Sequence, residues 1–176
     1  YGFVASPVNR ITSEGMPEFL VSDIPPRGVP EMAVERPEIY YGEKTDQYVI
    51  VNSKTPEFDY PRGDENATTT YEGSGGVRLS NPLRRLAFAL RFGTGKIMLS
   101  TDIHRDSRVL FHRNIHDRVR RLAPFLRCDS DPYMVVADGR LYWMQDAYTT
   151  TDRFPYVRPV TGWGNYVRNS VKVVID

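Results

Sequence analysis

The chain has 176 residues, 40% hydrophobic and 26% charged, with thirteen glycines and thirteen prolines, which suits a globular domain with a buried core and excludes disorder or a collagen-like repeat. Its single cysteine, Cys128, excludes an internal disulfide scaffold, and a mean hydropathy of -0.45 with no long apolar run excludes a membrane-spanning helix within this stretch. The formal net charge of +1 and isoelectric point near 8.0 lack the whole-domain basicity of a nucleic-acid binder, so no nucleic-acid partner is expected.

Residues 1–37 carry six prolines, among them Pro25, Pro26 and Pro30, and are expected to form an extended, proline-rich opening segment. Glu18 to Val21 is its one strand-like run. Next, Ile39-Tyr40-Tyr41 and Tyr48 to Asn52 are β-branched and aromatic, separated by a polar stretch, which predicts a hairpin with a longer loop. Phe58 to Tyr60 reads as a short edge strand, 61–66 as a turn, and Thr68 to Tyr71 as extended chain. Gly73, Gly75 and Gly76 then loosen the backbone.

The middle third is helical. Ser80 is placed to cap a helix with Pro82 in its first turn, and Leu83, Leu86, Ala87 and Leu90 recur at helical spacing before Gly93 ends it. A second helix is predicted with Asn114 as cap and Asp117 three residues on, presenting Ile115, Val119, Leu122 and Leu126 on one face until Pro124 disrupts it. Between them, 107–113 suits either a helix or a strand. The final third returns to strands: Tyr133 to Ala137 and Arg140 to Thr149 flank Asp138-Gly139, the pair that supplies the positive φ angles of a type I′ turn. Leu141, Trp143 and Gln145 would share one face and Tyr142, Met144 and Asp146 the other. Ser170 to Ile175 reads as a last strand.

Charge is unevenly spread. Residues 1–77 are net -7, 78–127 net +9 and 128–176 net -1, and nineteen of the 23 basic residues are arginine. The basic stretch either pairs with the acidic flanks or faces an anion, for which Arg84, Arg85, Arg118 and Arg121 of the two helices are the candidates.

Catalytic and metal patterns are sparse. His112 and His116 are four apart, but a cap at Asn114 breaks the helix that would align them. Asp129 and Asp131, with Asp102 and Asp106, offer oxygens to calcium without the twelve-residue loop of a dedicated site, so neither a cofactor nor a metal is expected. The glycines at 73–76 lack the lysine and hydroxyl of a phosphate loop. Tyrosines mixed with charged residues, namely Tyr40, Asp59, Tyr60, Tyr142, Asp146, Tyr148 and Arg153, have the composition of a surface that grips sugars or peptides.

Several longer runs are informative together: Arg36-Pro-Glu-Ile-Tyr-Tyr-Gly-Glu43, Glu57-Phe-Asp-Tyr-Pro61, Leu83-Arg-Arg-Leu-Ala-Phe-Ala-Leu-Arg-Phe-Gly93, Asp138-Gly-Arg-Leu-Tyr-Trp143, Asp146-Ala-Tyr-Thr149 and Asn165-Tyr-Val-Arg-Asn-Ser-Val-Lys-Val-Val174. In this order they resemble uncharacterised protein family 0182, large bacterial membrane proteins with N-terminal spanning helices followed by a long region outside the cytoplasm. The resemblance implies a multi-pass protein of the cell membrane, attached through segments outside this chain. It also implies that the chain begins after the spanning helices and that the protein continues beyond it. No catalytic residues follow from the resemblance.

These observations lead to an α+β fold: a single domain over 1–176, mainly antiparallel sheet, with the two basic amphipathic helices packed on one face. The expected function is an extracytoplasmic domain that binds an envelope glycan, a peptide or a protein partner, besides the remainder of its own polypeptide. The alternatives are an enzyme acting on envelope glycan or a lipid-linked substrate through paired carboxylates such as Asp59 and Asp146, and a structural or self-association module.

Overall fold

Strand and helix signals that survive folding are those whose side chains find a face to bury. In the computed structural model, which describes residues 2–175, the elements in chain order are β1 (Val21–Ser22), β2 (Arg27–Gly28), a 3-10 turn (Pro30–Met32), β3 (Val49–Val51), β4 (Glu57–Arg62), β5 (Glu65–Thr69), β6 (Val77–Arg78), α1 (Pro82–Phe92), α2 (Lys96–Leu99), β7 (Arg108–Leu110), α3 (Ile115–Leu122), β8 (Arg127–Cys128), β9 (Tyr133–Ala137), β10 (Arg140–Thr151) and β11 (Tyr166–Ile175). Among the described residues these strands pair antiparallel in four sheets, with one isolated parallel bridge between Gly42 and Asn114. The fold is α+β and mainly sheet, as expected.

The chain divides into two compact units, residues 1–45 with 114–176, and residues 46–113. This division cuts through the basic stretch. The unit at 46–113 contains ten basic and eight acidic side chains and the other thirteen and fourteen, so each is close to neutral.

In the unit at 46–113, β3 and β6 flank β7, and the ambiguous run before Arg113 is therefore strand. Leu79, Ala89, Ile97, Ile103 and Val109 form its buried cluster, with Tyr48, Phe88, Phe92 and Phe111 packed against it. Phe92 stacks on Tyr48 with centroids 4.1 Å apart and meets Phe88 at 5.7 Å and Phe111 at 6.4 Å. The predicted hairpin between 39–41 and 48–52 does not form. Val49–Val51 instead pairs with Arg108–Leu110, while the Tyr41 carbonyl accepts the Trp143 indole N–H at 2.8 Å and the Gly42 carbonyl accepts the Ile115 amide.

Helix α1 starts and stops close to expectation, with Asn81 rather than Ser80 as the cap, its Oδ1 accepting the Arg84 amide at 2.8 Å, and Gly93 left-handed at φ 64°. Its buried face is the opposite of the predicted one. Leu83 is 77% exposed and Leu90 75%, whereas Ala89 is buried and Phe88 and Phe92 are half-buried. Residues 85, 88, 89 and 92 also recur at helical spacing. Arg85 disguises that stripe in the sequence, but its guanidinium donates to the backbone carbonyls of Leu79 and Ile103, the latter at 2.6 Å. The two phenylalanines find ring partners in Tyr48 and Phe111, and that cluster forms the core face.

In the other unit, α3 is capped as predicted, Asn114 Oδ1 accepting the Asp117 amide at 3.1 Å, with Ile115 and Val119 buried. Leu122, by contrast, is 76% exposed. The Asp138-Gly139 turn has φ 49° and 70° and joins β9 to β10 as expected. β10 is the spine of its sheet, paired with β8, β9 and β11. Its faces alternate as predicted: Gln145 and Ala147 are fully buried, Asp146 and Tyr148 half-exposed. β11 starts four residues earlier than the predicted run and, among the described residues, pairs along one side only.

The reversal of α1 sets an expectation. Phe92→Ala should destabilise the chain by about 3 kcal/mol and Leu90→Ala by less than about 0.5 kcal/mol, measured as shifts in urea midpoint. A larger effect at Leu90 would restore the leucine stripe as the core face.

Candidate functional site

The residues singled out in the sequence are divided between the two compact units. Asp59 and Tyr60 lie on β4 in the unit at 46–113, and Tyr40, Tyr142, Asp146, Tyr148 and Arg153 belong to the other unit. Tyr142, Asp146 and Tyr148 share one face of β10. On that face Asp146 sits opposite Lys172 of β11 and forms an ion pair with it, and the Lys172 ammonium also donates to Tyr133 Oη at 2.8 Å. The hydrogen bond to Asp146 is the main cause that holds the Lys172 pKa above the ordinary lysine range, with the Tyr133 bond adding to it. A carboxylate tied to a charged amine is a poor general acid or base. Tyr142 carries the Arg140 guanidinium over its ring at 5.6 Å.

The four arginines proposed for anions are engaged in different ways. Arg84 reaches the Arg78 carbonyl and the Ser80 hydroxyl at long hydrogen-bond distance, and Arg85 clamps two carbonyls. Arg118 lies over the Tyr41 ring at 4.5 Å, and Arg121 is exposed. The glycine loop, expected only to loosen the backbone, is held by an arginine. The carbonyls of Ser74, Gly75 and Gly76 converge on the Arg108 guanidinium at 2.7, 2.9 and 3.3 Å, so the loop surrounds a cation with acceptors rather than an anion with donors.

His112 and His116 are separated by the Asn114 cap, and among the described residues no group of three or more His, Cys, Asp or Glu could hold a metal ion. Burial pushes the Cys128 thiol pKa up, opposed by the nearby Arg120 charge, which is the environment of an inert thiol. A shallow cleft of about 500 Å³ lies in the unit at 46–113, with Ile97 and Ile103 at its base and Lys96, Thr55 and Asp102 exposed along it. No buried polar side chains converge there, as an active site requires.

The most organised exposed surface is the tip of the β10–β11 hairpin, residues 152–165. One side chain holds its backbone: Asn165 Oδ1 accepts the Phe154 amide at 3.0 Å, while Nδ2 donates to the carbonyls of Phe154 at 2.7 Å and Val157 at 2.8 Å. Val160 and Gly164 exchange two backbone bonds, and Gly164, at φ 85°, has no room for a Cβ beside the Thr151 carbonyl. Phe154 stacks on Tyr166 at 4.6 Å and 10°, and Trp163 meets Tyr148 at 5.8 Å.

On this braced frame Phe154, Tyr156, Val157, Val160 and Trp163 are all exposed, Tyr156 by 106% at φ 64°. Arg153 and Arg158 are interleaved with them and exposed as well. Of the sequence candidates, the tip takes in Tyr148 and Arg153. It adds Phe154, Tyr156, Trp163 and Asn165, which lie among turn formers where no period marks them. The available signal was the alternation of aromatic and arginine in Arg153-Phe-Pro-Tyr-Val-Arg158.

Comparison with known proteins supplies the setting. The profile of the Uncharacterised protein family (UPF0182) matches residues 1–176. Similar curated proteins, each named UPF0182 protein, come from Pelotomaculum thermopropionicum at 57% identity over all of this chain, and from Geotalea uraniireducens at 55% and Geobacter sulfurreducens at 52%, each over 99% of it. The chain spans only about one fifth of the length of these relatives, 19 to 20%. No solved structure matches it. With a family profile over its full length and relatives above half identity, the chain belongs to the uncharacterised protein family UPF0182.

Proposed function

We propose that this chain is a non-catalytic, extracytoplasmic binding domain of a polytopic bacterial membrane protein, and that the β10–β11 hairpin tip is its binding surface. The observation that carries this is the bracing of exposed aromatic side chains by Asn165. Ordering a loop in advance lowers the entropy cost of association, and rigid aromatic rings give contact area at little side-chain cost. The paired-carboxylate enzyme finds less support, since Asp146 is committed to Lys172.

Pull-downs from bacterial envelope fractions, containing glycan, peptide and protein, test the proposal. Retention should fall by about tenfold in Tyr156→Ser/Trp163→Ser and by a smaller factor in Asn165→Ala, with the circular-dichroism spectrum unchanged. Retention that ignores all three substitutions would remove the tip from the function.

A structural role rests on a separate observation, the outward Leu83, Leu86 and Leu90 of α1. Their three- and four-residue spacing is that of a helix-packing seam. With about four fifths of the relatives' length outside this chain, we propose that the remainder of the polypeptide packs on that seam. If it does, Leu86→Gln/Leu90→Gln should leave the 176-residue chain as stable as before but lower the melting temperature of the full-length protein by several degrees. A full-length protein that melts unchanged would argue against it.

A further inference from the structure

We infer that the hairpin tip docks on an anionic lipid surface, its rings and valines entering the headgroup layer while Arg153 and Arg158 meet the phosphates. The inference rests on the tip being the binding surface and names what it binds.

The shape of the tip comes first. Tyr156 projects at full exposure from a turn with positive φ, and Phe154, Val157, Val160 and Trp163 of the same segment are exposed as well. A protruding apolar knob fits a plane better than a ligand the size of a sugar or peptide, which needs a groove. Hydrogen bonding points the same way. Recognition of a sugar needs amides and carboxylates turned outward, but the Asn165 amide is spent on the loop's own backbone, and Asp152 is the single acid between residues 147 and 175.

Charge chooses between surfaces. Arg153 and Arg158 sit inside the apolar run, and a third arginine, Arg168, stands where the β10–β11 register slips between Thr149 and Thr150. The tip is therefore cationic as well as apolar. Tryptophan and tyrosine favour the membrane–water interface, where an amphipathic ring satisfies both phases, and each arginine near an anionic leaflet adds electrostatic attraction that salt weakens. The bracing matters here because Asn165 already pairs the Phe154 amide and the Phe154 and Val157 carbonyls, which lowers the cost of taking that backbone out of water.

The test is sedimentation of the 176-residue chain with vesicles of phosphatidylglycerol and phosphatidylethanolamine, against vesicles of phosphatidylcholine alone, with Trp163 as the reporter. Binding should be confined to the phosphatidylglycerol vesicles and weaken as salt rises. Arg153→Gln/Arg158→Gln should lower partitioning by about tenfold or more, and Tyr156→Ser/Val157→Ser by a comparable factor. Tryptophan emission should shift to the blue on binding, and Trp163→Phe, which leaves only Trp143, should abolish that shift while the chain still sediments in part. Equal binding to phosphatidylcholine, or indifference to both double substitutions, would overturn the inference. So would inert vesicles alongside tip-dependent retention of an envelope protein or glycan, an outcome that leaves the tip as binding surface but gives it another partner. If nothing is bound in a tip-dependent way, both this inference and the binding reading beneath it fail.

Discussion

Backbone that is neither helix nor sheet must still find partners for its carbonyls, and in this chain long side chains provide them. Arg85 holds the carbonyls of Leu79 and Ile103, Arg108 those of Ser74, Gly75 and Gly76, and Arg113 that of Gln47. Asn114 and Trp143 do the same for Glu43 and Tyr41, and Asn165 for Phe154 and Val157. A buried carbonyl left without a donor costs about 1–3 kcal/mol, which bears on the part-buried bonds to Leu79, Ile103, Gly75 and Tyr41; the exposed ones order a stretch that water would otherwise solvate. A guanidinium presents five N–H groups in a rigid planar fork, two more donors than a lysine ammonium and already oriented, which suits it to serving several carbonyls at once. Arg84, Arg85, Arg108 and Arg113 are used in this way.

That use also explains the charge pattern. The stretch at 78–127 is strongly basic, but the compact units are not, because its arginines are divided between them and share each unit with acidic residues. Two of the four candidates for an external anion, Arg84 and Arg85, are internal hydrogen-bond donors. At the hairpin tip Arg153 and Arg158 remain outward, set among rings.

How much of this was legible in the residues depended on whether the signal was local. The Asp138-Gly139 turn and the Asn114 and Asp117 pairing at the start of α3 were readable, because backbone geometry and capping are decided within four residues. The partner of Val49–Val51 was not, since a three-residue strand carries no mark of pairing with residues almost sixty positions on. The face of α1 was misread for a related reason. Two stripes met the spacing rule, and the choice between them lay with Tyr48 and Phe111, distant in sequence, and with carbonyls that make a half-buried arginine acceptable. The tip combined both difficulties: its aromatics have no period, and the asparagine that organises them acts across 8 and 11 residues.

The one-sided pairing of β11 has a practical consequence. Its ten residues are free of proline and rich in β-branched side chains toward the end, and only Arg168 and Lys172 interrupt them with charge. An open strand edge of that length is a template for adding another strand, and charges on it are the usual protection. Lys172 spends its charge on Asp146, which leaves Arg168 as the main guard. Self-templated aggregation through this edge is therefore the chief hazard in handling the chain by itself, and it should grow as salt screens that remaining charge.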